Sequence, residues 1–242
     1  MCKYLNYKGI TSEKIIRSLL KINKTVKNLL FVIAAAMLMN ACEKKETMVL
    51  ISTDMGDITV KLYDETPKHK ANFLKNVEEG NIEGALFHRV IKNFMMQGGD
   101  PTSIGVAADA RLGSGSLPDV PLVDAEFDVN LIHKKGALAA ARTGGPSNPE
   151  KKSSNCQFYI VQGKAVTDAE LNQLEKQKNM TYGAEQRAAY KEVGGTPFLD
   201  QDYTVFGEVV DGLDVIDKIC AVQIAPGDRP VEDVKMSLKV VK

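Results

Sequence analysis

The sequence predicts a mostly β domain built as a closed antiparallel β-barrel, with two α-helices covering its core. Three observations predict it: several runs in which apolar and polar residues alternate, turn residues between those runs, and two helical patterns at residues 67–79 and 213–219. Alternation with a period of two places every second side chain on one face of a strand. Many short strands joined by turns fit a closed barrel, although this periodicity alone also fits a β-sandwich.

The composition limits the size and the partners of the protein. The chain has 242 residues, of which 44% are hydrophobic, so it can form one ordinary domain with additional segments. The formal net charge is zero, but residues 1–42 contain seven of the 31 basic residues and only one of the 31 acidic residues. Because phosphate binding needs clustered lysine and arginine, the acidic remainder argues against a nucleic-acid partner.

The first 42 residues are typical of an export signal. Lysines precede the apolar run at residues 29–39, which is shorter than the roughly 20 residues of a membrane-spanning helix and suits a secretory signal. The run leads into the sequence LMNAC at residues 38–42, which resembles a bacterial lipobox and implies cleavage before Cys42 and acylation of that cysteine. An ordinary secretory signal with an incidental cysteine is the alternative interpretation.

We therefore expect a lipoprotein-type signal peptide at residues 1–41 and a lipidated tether at residues 42–47. The mature protein is expected to be exported and anchored through Cys42 to a membrane of the bacterial cell envelope, at the periplasmic or outer-membrane face. Cys156 and Cys220 lie in the exported part. Their spacing does not show whether they pair, and small buried core residues are favoured over redox centres.

The domain is predicted to start with a hairpin and a helix. Residues 48–53 and 58–63 alternate and are joined by a turn. Thr66 suits the N-cap of a helix and Pro67 its first position. We expect His69 on the solvated face of this helix. The expected apolar stripe comprises Ala71, Leu74 and Val77, with Phe73 alongside.

The central stretch has the sequence FHRVIKNFMMQGGD at residues 87–100. It predicts a strand, a turn at residues 92–93 and a second short strand that ends in two glycines. Alternation places Arg89 on one face together with Phe87 and Ile91. An arginine cannot lose its proton, so among apolar groups it needs a carboxylate or a ligand carbonyl as its partner.

Later segments complete the pattern. Residues 134–142 and 156–162 are predicted strands, and in the second one Gln157, Tyr159 and Val161 share a face, with Phe158 and Ile160 on the other. Residues 164–196 contain a capping box, TDAE at 167–170, and two short helices. A strand at 203–209, a helix at 213–219 and a strand at 234–241 follow.

Three blocks in a fixed order carry a resemblance to a known family. They are residues 87–100, then GALAAAR (136–142) with QFYI (157–160), then FLD (198–200) with YTVFG (203–207). Over about residues 47–242, these blocks resemble the cyclophilin-type peptidyl-prolyl cis-trans isomerases. The resemblance implies a closed eight-stranded antiparallel barrel capped by two helices at residues 48–242, with the helical segment at about 164–196 as an insertion.

The resemblance also implies an activity, the acceleration of rotation about X–Pro bonds during the folding of exported proteins. The implied partners are proline-containing peptides and unfolded or folding exported proteins, and the implied state is a monomer without cofactor or metal. Arg89 would be the catalytic residue, with its guanidinium at the carbonyl and nitrogen of the proline amide. The implied substrate-binding residues are Ile91, Phe94, Met95, Gln97, Ala141, Gln157, Tyr159, Phe198, Leu199 and Tyr203.

Alternative interpretations use the same residues. Arg89 could be a salt-bridged structural arginine, and the domain could bind proline segments as a tethered chaperone without turnover. The inserted helices could be surface decoration, or they could narrow the groove and restrict which proteins enter. Tyr159 stands where the family commonly has phenylalanine, and its hydroxyl is expected to meet water at the rim. A metallohydrolase is disfavoured because His69, His88 and His133 form no ligand pair, and a serine hydrolase because no Gly-x-Ser-x-Gly run occurs.

Overall fold

The computed structural model describes residues 46–241 of the chain. The predicted signal peptide at residues 1–41 and the predicted acylation site at Cys42 lie outside these described residues. Within residues 46–241, no helix is long and apolar enough to cross a membrane.

The domain is organised around one sheet of eight strands, and all paired neighbours are antiparallel. The strands are β1 (Thr47–Thr53), β2 (Gly56–Leu62), β3 (Arg89–Ile91), β4 (Met95–Gly98), β5 (Ala137–Ala140), β6 (Phe158–Val161), β7 (Val205–Asp211) and β8 (Ser237–Val241). Their order across the sheet is β3-β4-β6-β5-β7-β2-β1-β8. The hairpin predicted at residues 48–63 is confirmed as β1 and β2.

The sheet is an open half-barrel, so the prediction of a closed barrel was wrong. Its ladder ends at β3 and β8, and within residues 46–241 these two edge strands do not pair with each other. The physical reason lies at β3, where the backbone N–H of Val90 donates to the carbonyl oxygen of Asp228 (2.8 Å). An isolated bridge between Leu86 and Lys235 joins the segments that precede the two edges.

Four α-helices accompany the sheet in the part of the chain that the structure describes. They are α1 (Pro67–Glu78), α2 (Asp168–Lys178), α3 (Ala184–Val193) and α4 (Leu213–Ile219). α2 and α3 are the two helices predicted for the insertion. The capping box at the start of α2 is confirmed, because Thr167 Oγ1 accepts from the N–H of Glu170 (3.2 Å) and the Glu170 carboxylate accepts from the N–H of Thr167 (2.8 Å).

The buried face of α1 differs from the predicted apolar stripe. His69, Phe73 and Asn76 are buried, whereas Ala71 is exposed and Leu74 is only partly buried. Polar side chains can face a core when they have hydrogen-bond partners there. Phe73 is buried, and Leu74 and Val77 pack against the larger core, as predicted. Ala71 does not, and the expectation of a solvated His69 was wrong.

Partners from distant loops explain the buried polar residues of α1. Nδ1 of His69 lies 2.6 Å from Oε2 of Glu126, and its Nε2 lies 2.9 Å from Oγ of Ser153. Nδ2 of Asn76 donates to the carbonyl oxygen of Asn155 (2.8 Å). These bonds fix α1 to the two long loops that carry the partner residues.

Two apolar clusters lie on opposite faces of the sheet. Phe158 and Ile160 of β6 belong to the larger cluster, while Tyr159 and Val161 belong to the smaller one, so the predicted division of this strand is confirmed. Phe87, in contrast, is fully buried in the larger cluster. β3 begins two residues later, so its alternation does not extend back to Phe87, which does not share the face of Arg89.

Cys156 and Cys220 are free thiols, both buried in the larger cluster. Burial raises the pKa of both thiols, that of Cys220 to about 12. A thiol that keeps its proton is a poor nucleophile. The prediction that both cysteines are core residues is confirmed.

Candidate active site

The β3–β4 hairpin places Arg89 directly opposite Gln97. The two residues are partners in the ladder, so their side chains lie on the same face of the sheet. Asn93, in the turn, has a φ of 62°, which is the left-handed region. This turn brings Phe94 to the face of Met95 and Gln97, as the sequence required if all three were to line one groove.

A cavity of about 110 Å³, which we call the small cavity, opens beside Arg89. Eight of the residues predicted for the site line it: Arg89, Phe94, Met95, Gln97, Ala141, Tyr159, Leu199 and Tyr203. The other three lie nearby. Ile91 packs on the same apolar cluster, Gln157 bonds to Gln97, and Phe198 stacks on Phe94.

Arg89 borders the small cavity as a half-exposed side chain. Its Nε donates to Oδ2 of Asp228 (3.2 Å), and the two side chains are 40% and 37% exposed. An ion pair this open contributes at most about 1 kcal/mol. Within residues 46–241, the side-chain bond of Arg89 uses Nε alone, so both terminal NH₂ groups can donate to a ligand oxygen. This geometry disfavours a purely structural role.

An amide pair connects the small cavity to a loop. Nε2 of Gln97 donates to Oε1 of Gln157 (3.0 Å), and Nε2 of Gln157 donates to the carbonyl oxygens of Gly115 (2.7 Å) and Gly113 (3.1 Å). Both amides are therefore oriented by their partners. A peptide lying along this wall would meet preoriented hydrogen-bonding groups.

The carboxylate of Asp100 holds that loop in place. It accepts from the backbone N–H groups of Thr102 (2.8 Å), Gly113 (2.6 Å) and Gly115 (3.2 Å). Burial alone would raise the pKa of Asp100, but these hydrogen bonds lower it below the ordinary value. Asp100 therefore stays ionised and keeps the loop beside Gln157.

Tyr159, on the small cavity, is held from behind by a buried network. Its hydroxyl lies 2.9 Å from Nε2 of His133, and Nδ1 of His133 lies 2.7 Å from Oδ1 of Asp200. The hydroxyls of Tyr182 and Tyr190 donate to Oδ2 of the same carboxylate (2.8 and 2.6 Å). The expectation that the Tyr159 hydroxyl meets water at the rim was wrong, because this hydroxyl is buried and contacts Nε2 of His133.

The network gives Tyr159 a defined hydrogen-bonding state. A carboxylate can only accept, so Nδ1 of His133 donates to Asp200, and Nε2 of His133 faces the Tyr159 hydroxyl. Burial raises the pKa of Tyr159 well above its usual value, so the phenol remains a donor. Asp200 and His133 are fully buried. Tyr182 precedes α3, and Tyr190 lies within it. The insertion thus supports the floor of the small cavity.

Sequence reasoning missed three residues of this region. His133 and Asp200 were not assigned to the site, although a tyrosine in a position usually occupied by phenylalanine was a signal that its hydroxyl needed a partner. Arg142 also lines the small cavity. Its guanidinium lies 4.4 Å from the ring centroid of Tyr203, and its Nε donates to the carbonyl oxygen of Asp202 (2.7 Å).

Two other polar arrangements do not form a second reaction centre. Ser153, His69 and Glu126 are linked like a serine–histidine–acid triad, but Ser153 is only 1% exposed, so no substrate can reach its hydroxyl. Within residues 46–241, no group of three or more histidine, cysteine or acidic side chains is placed to hold a metal ion.

The fold resembles solved structures of one class. The crystal structure of a cyclophilin type peptidyl-prolyl cis-trans isomerase from Cryptosporidium parvum matches 82% of this chain and 99% of its own, with a TM-score of 0.59 and 22% identity. The same enzyme in the presence of the dipeptide Ala-Pro matches 81% of this chain and 99% of its own, with a TM-score of 0.56. The open half-barrel with its arginine-bordered cavity is therefore a cyclophilin-like fold.

Sequence comparison defines the family. Residues 48–240 match a family model described as "Cyclophilin type peptidyl-prolyl cis-trans isomerase/CLD". A protein of Staphylococcus aureus (strain COL), named as a peptidyl-prolyl cis-trans isomerase, is 38% identical over 196 residues, which are 79% of this chain and 90% of that protein. A protein with the same name from Staphylococcus saprophyticus is 36% identical over 199 residues, which are 81% of this chain and 93% of that protein.

The chain therefore belongs to the cyclophilin-type peptidyl-prolyl cis-trans isomerase family, and it is a peptidyl-prolyl cis-trans isomerase. This assignment favours an enzyme over a binding module without turnover.

Proposed function

We propose that this isomerase accelerates X–Pro rotation in exported proteins while they fold, and that Arg89 stabilises the twisted amide. The barrier to rotation, about 20 kcal/mol, exists because the nitrogen lone pair is delocalised into the carbonyl. When the bond is twisted, the nitrogen regains its lone pair and can accept a hydrogen bond. The observation that carries this proposal is the half-exposed guanidinium of Arg89 on the rim of an apolar cavity.

The small cavity would hold the proline ring. Phe94, Met95, Tyr159 and Leu199 line it with apolar surface, and exclusion of water there strengthens the field of the neighbouring guanidinium. The volume of about 110 Å³ suits a small ring. The solved relative studied with the dipeptide Ala-Pro supports a proline-containing peptide as the ligand.

The remaining predicted residues would hold the peptide on either side of the ring. Gln97 and Gln157 would hold its backbone, since the loop carbonyls fix the Gln157 amide and Gln157 in turn orients the Gln97 amide. Ile91, Ala141, Phe198 and Tyr203 would complete the wall. Arg89 would act without a cofactor or metal, in a monomer.

Replacement of the arginine tests the mechanism. We expect Arg89→Ala to lower kcat/KM on an Ala-Pro peptide by roughly 10²–10³-fold, which is typical for loss of one preorganised electrostatic donor. The fold should survive because the ion pair of Arg89 is half exposed. Exchange between cis and trans peptide, followed by NMR, measures the rate.

Lys92→Ala is the matched control for this experiment. It removes the same charge from the same hairpin, at an exposed position outside the small cavity. Turnover should stay near the wild-type rate. If Arg89→Ala keeps its turnover within a few-fold of Lys92→Ala, the arginine mechanism is refuted.

We also propose that the mature enzyme is a lipoprotein anchored through Cys42 in the cell envelope. The apolar run at residues 29–39 and the adjoining Ala41 and Cys42 support this proposal. More than one acyl chain gives a stable anchor, since each buried CH₂ contributes about 0.8 kcal/mol.

Cell fractionation tests the anchor. Cys42→Ala is expected to move the enzyme from the membrane pellet to the soluble fraction, while Cys2→Ala, in the predicted signal peptide, should leave it in the pellet. Recovery of Cys42→Ala in the membrane at the wild-type level would contradict acylation at this residue.

A further inference from the structure

A second cavity of about 330 Å³, which we call the large cavity, lies between the insertion and the groove wall. Val166 and Leu174 from the insertion line one side of it, and Phe94, Pro197 and Phe198 line the other. Its volume is in the range of ligand-binding pockets and about three times that of the small cavity. The large cavity exists because α2 packs beside the segment that carries Phe198.

The large cavity adjoins the proposed proline site. Phe94 lines both cavities, and the consecutive residues Phe198 and Leu199 line the large and the small cavity, respectively. The rings of Phe94 and Phe198 stack with centroids 5.7 Å apart. A wall about one ring thick therefore separates the two cavities, so one extended peptide can reach both.

The chemistry of the large cavity favours an uncharged, apolar group. The charged residues in its lining are Lys164 and Glu170, and these pair with each other at 3.4 Å. No unpaired charge in this lining would attract an ionic side chain. Phe198 is 50% exposed, so covering its ring with another apolar group removes surface from water.

We propose that the large cavity binds an apolar side chain of the substrate, aromatic or branched aliphatic, two residues from the proline. In an extended chain, residues i and i+2 point to the same face and lie about 7 Å apart. Because Phe94 lines both cavities, a side chain two residues from the proline lies within reach of the large cavity. The inference rests on the proposed function, because it assumes that proline occupies the small cavity.

A peptide series tests the proposed preference. Each peptide carries one Ala-Pro unit and either phenylalanine or serine two residues before or two residues after the proline. With the full-length enzyme, phenylalanine is expected to raise kcat/KM about tenfold over serine on one of the two sides, mainly through a lower KM. Equal values for phenylalanine and serine on both sides would overturn the proposal.

Variants of α2 locate the preference. Gln177 lines the large cavity and is exposed, so Gln177→Trp would fill it and should reduce the phenylalanine-to-serine ratio to about one. Gln173→Trp, at a second exposed lining position, should do the same if the first variant does not fold. Lys176→Trp places the same ring on the same helix outside this lining and should retain the ratio. An unchanged ratio in the folded cavity-filling variants would overturn the proposal.

The Arg89→Ala variant separates this proposal from the proposed mechanism. Peptide dissociation constants of that variant, measured by NMR titration, should keep the tenfold preference although turnover is lost. Retained turnover with retained preference would refute the arginine mechanism and support the large cavity. Loss of turnover in Arg89→Ala, with no preference for phenylalanine in either the wild-type or the variant protein, would support the arginine mechanism and refute the proposal for the large cavity.

Discussion

The two sides of the small cavity are held in different ways. On one side, the β3–β4 hairpin fixes Arg89 and Gln97 through its backbone ladder, and Arg89 adds only a half-exposed ion pair. On the other side, Tyr159 is fixed by side chains, through His133 and the fully buried Asp200. Replacement of Arg89 should therefore change reactivity with little effect on stability, whereas changes in the network should alter stability first.

Asp200→Ala should give the largest stability effect of the comparison. The substitution leaves three buried donors without their acceptor, namely the backbone N–H and Nδ1 of His133 and the hydroxyl of Tyr190. The Tyr182 hydroxyl keeps the carbonyl oxygen of Pro197 as an acceptor (3.2 Å). Each of the three unpaired donors costs about 1–3 kcal/mol, so the free energy of unfolding should fall by at least about 3 kcal/mol. Urea denaturation measures it.

Asp109→Ala is the control for that loss, because it removes a carboxylate from an exposed loop position. Its free energy of unfolding should stay within about 0.5 kcal/mol of wild type. Equal losses in the two variants would show that the buried network does not stabilise the domain.

Tyr159→Phe sharpens the comparison with a smaller change. The ring stays in the small cavity, but Nε2 of His133 loses its partner, which should cost about 1–2 kcal/mol in unfolding free energy. Turnover should fall less than tenfold, in contrast to Arg89→Ala. Tyr203→Phe is the matched control, since the Tyr203 hydroxyl makes no hydrogen bond within residues 46–241 and the ring lines the same cavity. An unchanged free energy of unfolding in Tyr159→Phe would show that the Tyr159 hydroxyl does not stabilise the domain through this network.

Acid should destabilise the domain through His69, a buried residue of α1 that does not line the small cavity. Burial lowers the pKa of His69, although the bond to Glu126 acts in the opposite direction. The unfolded chain then binds protons more readily than the folded one, so stability is full above about pH 6.5 and falls as the pH drops below it. Burial lowers the pKa of His88 as well, with the same sign.

Unfolding free energies at pH 7.5 and 5.5 measure this dependence, and the value at pH 5.5 should be lower. His69→Gln should reduce the difference between the two. A pH-independent free energy of unfolding in the wild type would contradict the lowered pKa values.

Some of the predicted site residues that line the small cavity are close together in the chain. The resemblance assigned Arg89, Met95 and Gln97 to the site, and one short hairpin brings these three side chains to one cavity. The resemblance assigned all eight predicted residues that line the small cavity, including those that are remote from this hairpin in sequence.

The parts that the sequence did not predict depend on partners far apart in the chain. Ser153 lies 84 residues from His69, and Asp200 lies 67 residues from His133. The choice of the buried face of α1, and the burial of the Tyr159 hydroxyl, rest on such pairs. The failure of the barrel to close has the same origin, since Asp228, which takes the N–H of Val90, is remote from β3 in sequence.

The edge position of β3 affects how the guanidinium can move. β3 has three residues and pairs with one neighbouring strand, while β6, which carries Tyr159, has strands on both sides. Segments with few cross-links open with the lowest free energies in a folded protein. Arg89 therefore lies on the less cross-linked edge of the sheet, and Tyr159 lies on an interior strand. In the proposed mechanism, the guanidinium would adjust to the rotating bond while the wall that carries Tyr159 stays in place.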